Sequence, residues 1–255
     1  MLTVGLPMYR ADLIGWLPLE SLCRQKTDQE WELLIIEEKF RAFGLKNIMK
    51  YKKRLTDAGC ININYNQVDK WVPLSQKYYI MAQEMKGDIF VLHASDDYSH
   101  PDRLQMTADN ILDMYQQTRG YFYEISTERM IVLDWLMRPF KHPCCLNMAY
   151  KADFFKRIKN ERHDTGNDGW IYKSANEDGG MRIFFDKSDV WERGLHTQGQ
   201  NNISMGRMDY FLNPRGVFRG TKTKIQSVLP DVIVKRLHGI KDEETIMVRA
   251  GKYED

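Results

Sequence analysis

Gly87-Asp88-Ile89-Phe90-Val91-Leu92-His93-Ala94-Ser95-Asp96-Asp97 sets a short apolar run, Ile89 to Leu92, directly before two adjacent carboxylates. Tyr98-Ser99-His100-Pro101 then has the character of a loop, and a helical pattern resumes at Asp102. Adjacent carboxylates repel one another unless a cation or solvent lies between them. Delivered to the carboxyl end of a buried strand, such a pair suits a hard divalent ion held against phosphate oxygens. An Asp-rich turn capping the next helix is the plainer explanation; placement at a strand end favours the ligand role. Asp97 is the expected metal ligand. Asp96 is expected to face a ribose or to order the loop.

Upstream of this stretch, strands and helices alternate. Leu2 to Leu6 reads as a first strand, closed by Pro7 and followed by Tyr9-Arg10. Asp12 is placed to cap a helix carrying Leu13, Trp16, Leu17, Leu19 and Leu22, with Pro18 delaying or kinking it. Trp31 to Ile36 is apolar enough to be buried on both faces, and it ends in Glu37-Glu38. A basic helical segment covers Lys46 to Lys53, Cys60 to Tyr65 alternates like a strand, and Leu74 to Met85 reads as a helix stopped by Gly87. This order predicts a parallel, doubly wound sheet. Ligands of such sheets bind beyond the carboxyl ends of the strands. Pro7 to Arg10, Glu37-Glu38 and Asp96-Asp97 are all expected there.

Beyond Pro101 the pattern changes. Leu104 to Tyr115 reads as a helix, and Gly120 to Ile125 and Met130 to Trp135 as antiparallel strands. Lys151 to Ile158 and Trp170 to Asn176 read as helical, Met181 to Phe185 as a strand, and the chain from Gly194 as loop. Thr221 to Leu237 fits either a strand or a helix. No repeat, low-complexity tract or linker divides the chain. The expectation is one domain over 1–255, with a nucleotide-binding half over 1–106, an acceptor half over 107–210 and a C-terminal extension over 211–255.

Composition narrows the class. Of 255 residues, 43% are hydrophobic and 28% charged, with a net charge of +2. That is an ordinary globular balance and gives no strong field for bulk nucleic-acid binding. No apolar run approaches the roughly 18 residues of a membrane helix, and Met1 to Gly5 lacks the layout of a signal peptide. The four cysteines, Cys23, Cys60, Cys144 and Cys145, form no Cys-x-x-Cys pair. They read as buried thiols in a reducing compartment, the cytoplasm or the inner face of a membrane.

Three further groups carry chemistry. Glu37-Glu38 offers acceptors for a base N–H or a ribose hydroxyl, or is simply a solvated strand exit. Asp168, in Asp164-Thr165-Gly166-Asn167-Asp168-Gly169-Trp170, opens an amphipathic helix, either as a cap or as a general base aimed into a cleft. His196, within Gly194 to Ser204, offers a metal or diphosphate contact, although a lone histidine in a polar loop is commonly just surface. Arg215, Arg219, Lys222 and Lys224 form a basic face beyond it. Trp135, Phe140, Trp170 and Trp191 are candidates for stacking on sugar rings, or for the core.

Several of these residues together resemble the family 2 glycosyltransferases. Thr3-Val4-Gly5-Leu6-Pro7-Met8-Tyr9-Arg10 is similar to the family's opening strand and loop. The likeness continues through Leu19-Glu20-Ser21-Leu22, Trp31 to Glu38 and Gly87 to Asp97, and ends with Pro101-Asp102-Arg103-Leu104. It is strong from residue 2 to about 106 and weaker to about 205. The resemblance implies a GT-A fold: a Rossmann-like, mostly parallel sheet with helices on both faces and a smaller antiparallel acceptor-side part. It also implies a nucleotide-sugar donor, a UDP-sugar first, with Mn²⁺ or Mg²⁺ and inversion at the anomeric carbon. By the same resemblance Pro7, Tyr9 and Arg10 belong to the loop under the nucleotide, and Glu38, beside Glu37, contacts the base. Asp96 and Asp97 form the metal motif, Cys144 to Tyr150 walls the acceptor site, Asp168 is the base, and His196 helps hold metal or diphosphate.

The chain departs from the family at Glu37-Glu38, where Asp-Asp is usual, and at Tyr78-Tyr79, where an Arg-Asn pair is usual. Lys77 or Gln76 is then the substitute nucleotide contact. Tyr98 stands where a third acid would extend the metal motif. The expected acceptor is a glycan, a lipid-linked sugar or another hydroxyl, with a nucleic-acid base left open. The rival readings are a nucleotidyltransferase, disfavoured because Pro7-Met8-Tyr9-Arg10 lacks glycine, and a non-catalytic nucleotide-binding module.

Overall fold

The computed structural model describes residues 1–124, 129–134, 148–162, 167–186, 194–198, 220–223 and 229–239. Two sheets organise them. The central sheet contains β1 (Leu2–Met8), β2 (Trp31–Glu38), β3 (Cys60–Val68), β4 (Ile89–Leu92), β6 (Met114–Gln117), β9 (Met148–Lys151) and β10 (Ile183–Asp186). Their order across the sheet is β10-β6-β9-β4-β1-β2-β3. The β3-β2-β1-β4 half is wholly parallel, and among the described strands β9 alone runs against the rest. The smaller sheet has the order β12-β8-β7-β11-β5. It is built from β5 (Asp97–Ser99), β7 (Arg119–Glu124), β8 (Arg129–Asp134), β11 (Gly194–Gln198) and β12 (Gly220–Thr223). All its pairings are antiparallel except β7 with β11. The mixed α/β architecture expected from the sequence is present.

Period-two burial divides the core between the faces of the central sheet. Val4, Leu6, Leu33 and Ile35 pack with Leu19, Leu22, Ile48, Leu55 and Leu104. These come from α1 (Trp16–Leu22), α2 (Leu45–Met49), α3 (Lys52–Asp57) and α5 (Arg103–Asn110). On the other face Leu34, Ile36, Phe90 and Leu92 pack with Tyr78, Met81, Phe155, Trp170 and Ile171. Their helices are α4 (Leu74–Glu84), α6 (Ala152–Phe155) and α7 (Asn167–Ala175). A third cluster joins Trp16, Leu17, Tyr98 and Tyr123 to Leu229, Ile233 and Leu237 around a helix, α8, over 231–239.

Four details differ from the sequence reading. The first strand does not stop before Pro7 but runs to Met8. Its pairing with β4 ends at Gly5↔Leu92, so one side of β1 is open beyond that point and a residue without N–H is tolerated. The helix expected over 104–115 ends at Asn110, and Met114–Gln117 is strand β6. Its apolar residues suit either period, and pairing with β9 and β10 decides the matter. The segment after Gly194, expected as loop, begins with strand β11. The first helix is capped at Gly15 rather than at Asp12 and starts only at Trp16, which is the delay expected of Pro18: the proline sits in the first turn of α1, where a missing N–H costs no helical bond.

Gly87, just before β4, packs closely against the backbone of β1. Its N–H donates to Thr3 Oγ1 at 2.9 Å, and Thr3 Oγ1 donates to the buried Glu32 carboxylate at 2.7 Å. A Cβ at Gly87 would stand 2.7 Å from the backbone of Leu2 and Thr3. Strand backbone cannot give way as a side chain can, so Gly87→Ala should destabilise the protein by roughly 1–3 kcal/mol through overpacking. Urea denaturation measures this, and an unchanged midpoint would contradict the packing described.

Candidate functional site

Three neighbouring parallel strands end on one edge. Met8 lies level with Glu37 in the β1–β2 register, and Gly5 with Leu92 in the β1–β4 register. The chain leaving β1 (Pro7 to Arg10), the chain leaving β2 (Glu37-Glu38) and the loop leaving β4 (His93 to Asp97) therefore border one rim. Arg10 adopts φ +46°, a left-handed conformation uncommon for a residue with a side chain. Its guanidinium stands 5.2 Å from the Tyr9 ring centroid and 5.7 Å from that of the exposed Phe40.

The two glutamates have distinct surroundings. Glu37 is wholly buried and accepts from Phe43 N at 2.7 Å, Gly44 N at 3.0 Å and Tyr65 Oη at 2.9 Å. It thereby fixes the turn between β2 and α2. Burial and, after it, the Glu37 charge hold the Tyr65 phenol well above its ordinary pKa. Glu38 accepts from Val72 N at 3.3 Å and pairs with Lys77 Nζ at 2.8 Å. That ammonium also donates to Met8 O at 2.8 Å and lies 5.8 Å from the Tyr9 ring. Lys77 thus ties the ends of β1 and β2 together from the first turn of α4. Burial depresses its pKa, against the opposing pull of Glu38. Lys77 and Glu38, assigned separately to the nucleotide by sequence, form one buried ion pair.

Asp96 is half-buried and Asp97 buried. A turn closes before them, with Asp97 N donating to Ala94 O at 3.3 Å. Asp97 opens β5, where its register partner on β11 is His196. Two residues nominated as metal ligands from points 99 apart in sequence are therefore neighbours through backbone pairing. Among the described residues no group of three or more His, Cys, Asp or Glu is assembled to hold a metal ion. An ion at Asp97 and His196 would need further ligands from phosphate oxygens and water.

Beneath Asp97 lies a polar layer that the sequence reading gave no role. Arg103 is 1% exposed. It donates to Leu92 O through Nη2, and through Nη1 to Ser99 Oγ at 2.8 Å and His93 Nδ1 at 3.0 Å. Because an arginine only donates, His93 Nδ1 must accept, so Nε2 carries the proton. Nε2 donates to Ser21 Oγ at 3.2 Å, and Ser21 Oγ donates in turn to Pro18 O at 2.9 Å. Burial and then the Arg103 charge push His93 down to about 3, so it is a neutral imidazole. Burial also lowers Arg103 to about 10, opposed by the field of Asp97, and it stays cationic at neutral pH. Arg103 follows Pro101-Asp102 at the start of α5; a cation that close after the paired acids was the signal available in sequence.

Asp168 lies in the first turn of α7. That helix is moored to the same rim: Trp170 Nε1 donates to Glu161 Oε2 at 3.2 Å, and Glu161 O accepts from Ser75 Oγ at 2.8 Å. Ser75 is in the first turn of α4, beside Lys77. Arg162 stacks 4.9 Å from the Trp71 ring centroid in the loop after β3. Trp170, a candidate stacking residue, is 8% exposed and belongs to the core. Cys60 is buried and Cys23 half-buried, both free thiols, and burial pushes them up to about 11 and about 12. Trp135, Phe140, Cys144, Cys145, Trp191, Arg215, Arg219, Lys224 and the segments 164–166 and 199–204 lie outside the described residues.

No protein-family model matches the sequence, and no curated protein matches it. Solved structures do match in fold. S. aureus TarS 1-349 in complex with UDP-GlcNAc aligns with a TM-score of 0.61 at 14% identity, over 81% of this chain and 61% of that one. S. aureus TarS aligns with a TM-score of 0.57 at 15% identity, over 77% of this chain and 36% of that one. The mannosyltransferase PcManGT from Pyrobaculum calidifontis, in complex with GDP-Man and Mn²⁺, aligns with a TM-score of 0.51 at 15% identity, over 77% of this chain and 56% of that one. The chain thus spans less than two thirds of each of these structures. This chain therefore shares the fold of TarS and of the mannosyltransferase PcManGT.

Proposed function

We propose that this chain is a metal-dependent, inverting glycosyltransferase of the family 2 kind, moving a sugar from a nucleotide-sugar donor to an acceptor hydroxyl. The observation that carries the reading is the meeting at one rim of the β1 loop, Glu38–Lys77 and Asp97, with His196 in register with Asp97. The solved structures of like fold include complexes with UDP-GlcNAc and with GDP-Man and Mn²⁺. That supports a UDP-sugar or a related donor here.

The donor's base lies against Pro7, Tyr9 and Arg10, with Glu38 and Lys77 beneath it and Asp96 towards the ribose. Glu37 acts behind them by fixing the turn at Phe43-Gly44. Asp97 and His196 offer one hard oxygen and one imidazole nitrogen, a donor set that suits Mn²⁺ or Mg²⁺. Such an ion, when bound, would neutralise charge developing on the leaving diphosphate. Asp168, in the first turn of α7, takes the proton of the acceptor hydroxyl as it attacks the anomeric carbon from the face opposite the leaving group. The acceptor is a saccharide or lipid-linked sugar, met by residues from the half of the chain after 106.

Three outcomes test this. With UDP-sugars and Mn²⁺, Asp168→Asn should lower release of nucleoside diphosphate about 100-fold or more while donor binding by calorimetry stays near wild type; full turnover would remove Asp168 as the base. Asp97→Ala should abolish the Mn²⁺-dependent part of the thermal shift given by UDP, and an unaltered shift would exclude the metal role. Lys77→Met strands the buried Glu38 carboxylate and should cost roughly 3–5 kcal/mol. Adding Glu38→Gln should recover much of that stability without recovering UDP affinity. Recovery of both would make the pair purely structural.

A further inference from the structure

The turn over 39–44 with α2 and α3 forms a surface that the reading above leaves unused. Residues 39–54 contain seven Lys or Arg and no Asp or Glu, in a chain whose net charge is only +2. Neighbouring acids engage four of the seven. Lys39 pairs with Asp69 at 3.4 Å, Arg41 with Asp12 at 3.0 Å, Lys53 with Asp57 at 2.7 Å and Arg54 with Glu20 at 2.7 Å. Lys46, Lys50 and Lys52 are exposed and make no ion pair among the described residues; Lys50 donates to Asn47 Oδ1 at 2.7 Å.

Large apolar side chains stand among these cations. Phe40 is 64% exposed, Leu45 46% and Met49 40%. Ile48 and Leu55 turn inward to the core, while Leu45 and Met49, one turn apart, share the outer face of α2 with Lys46 and Lys50. Leaving three large apolar groups in water beside uncompensated lysines has no folding benefit. The turn that presents Phe40 is also held firm, since Phe43 N and Gly44 N both donate to the buried Glu37.

We propose that this face docks the protein on an anionic lipid bilayer, with Leu45, Met49 and Phe40 entering the headgroup boundary and Lys46, Lys50 and Lys52 meeting lipid phosphates and carboxylates. Charge complementarity selects an anionic partner, and the apolar residues select the class. Leu45 and Met49 have no π-face on which a base could stack, and the unpaired cations are lysines rather than the forked arginines suited to bidentate contacts. Interleaved lysine and aliphatic side chains on one short helical face suit the interface of a membrane. The surface borders the candidate site, because Arg10 stacks on both Tyr9 and Phe40.

The test uses the intact protein and sedimentation with vesicles. It should pellet with phosphatidylcholine vesicles containing about a third phosphatidylserine, and not with phosphatidylcholine alone. The triple variant Lys46→Glu, Lys50→Glu, Lys52→Glu should weaken that binding by about tenfold or more. Leu45→Ser with Met49→Ser should weaken it too, without lowering the melting temperature, since both side chains are exposed. Equal binding to both vesicle types, no vesicle binding, or variants that bind as wild type would overturn the proposal. So would tighter retention by duplex DNA than by anionic vesicles. The UDP thermal shift is read in parallel: lost docking with an intact shift rejects this surface alone, and an absent shift rejects the donor reading alone.

Discussion

Strand β1 is paired in parallel on both sides, to β2 and to β4, and everything at the candidate site depends on that double pairing. Parallel strands require crossovers that return the chain to the far edge each time, so all their carboxyl ends collect on one rim. The pairing brings together residues that are distant in sequence. It also demands that polar groups on buried strands find partners, because β2 is buried along its whole length, including Glu32, Glu37 and Glu38. Each of these carboxylates accepts from protein donors: Thr3 and Lys86 N for Glu32, Phe43 N, Gly44 N and Tyr65 for Glu37, Val72 N and Lys77 for Glu38. An unpaired charge at that depth would cost several kcal/mol.

These partners convert a solvation requirement into geometry. Glu37 shapes the turn leading into α2. Lys77 joins Met8 O to Glu38 and so sets the spacing of two strand ends beneath Tyr9. Arg103 acts in the same way under the third strand, where it grips Leu92 O, Ser99 and His93. Gln25 extends that layer, since it donates to His100 O at 2.9 Å and accepts from Leu104 N at 3.1 Å. The loop bearing Asp96 and Asp97 is therefore held from below by a neutral histidine and a buried cation, and from the side by the β5–β11 pairing.

Much of this was legible in sequence where local pattern and burial agree. β2 read as a strand buried on both faces, β1 and β4 as short apolar strands, and α4 and α7 as helices, and their alternation gave the parallel sense. The polar clusters at the strand ends followed from topology alone. Reading failed where the period is ambiguous and pairing decides. Met114 and Tyr115 closed a helical pattern but open strand β6, and Gly194–Gln198 looked like loop but supplies a strand to the smaller sheet. His93 and Arg103 stood in plain view beside the paired acids, yet nothing local distinguishes a buried arginine from a solvated one.

By itself the sequence determined the alternation of strands and helices, the parallel sense of the first half and the identity of the acids at its rim. Those are consequences of periodicity and of short-range connection, which the chain carries locally. Only the tertiary structure decided which of those groups face one another. The opposition of Asp97 to His196, the burial of Lys77 against Glu38, and the Arg103–His93 layer each join residues through register or burial. Such long-range contacts depend on the free energy of the whole packed sheet, and no window of sequence contains it.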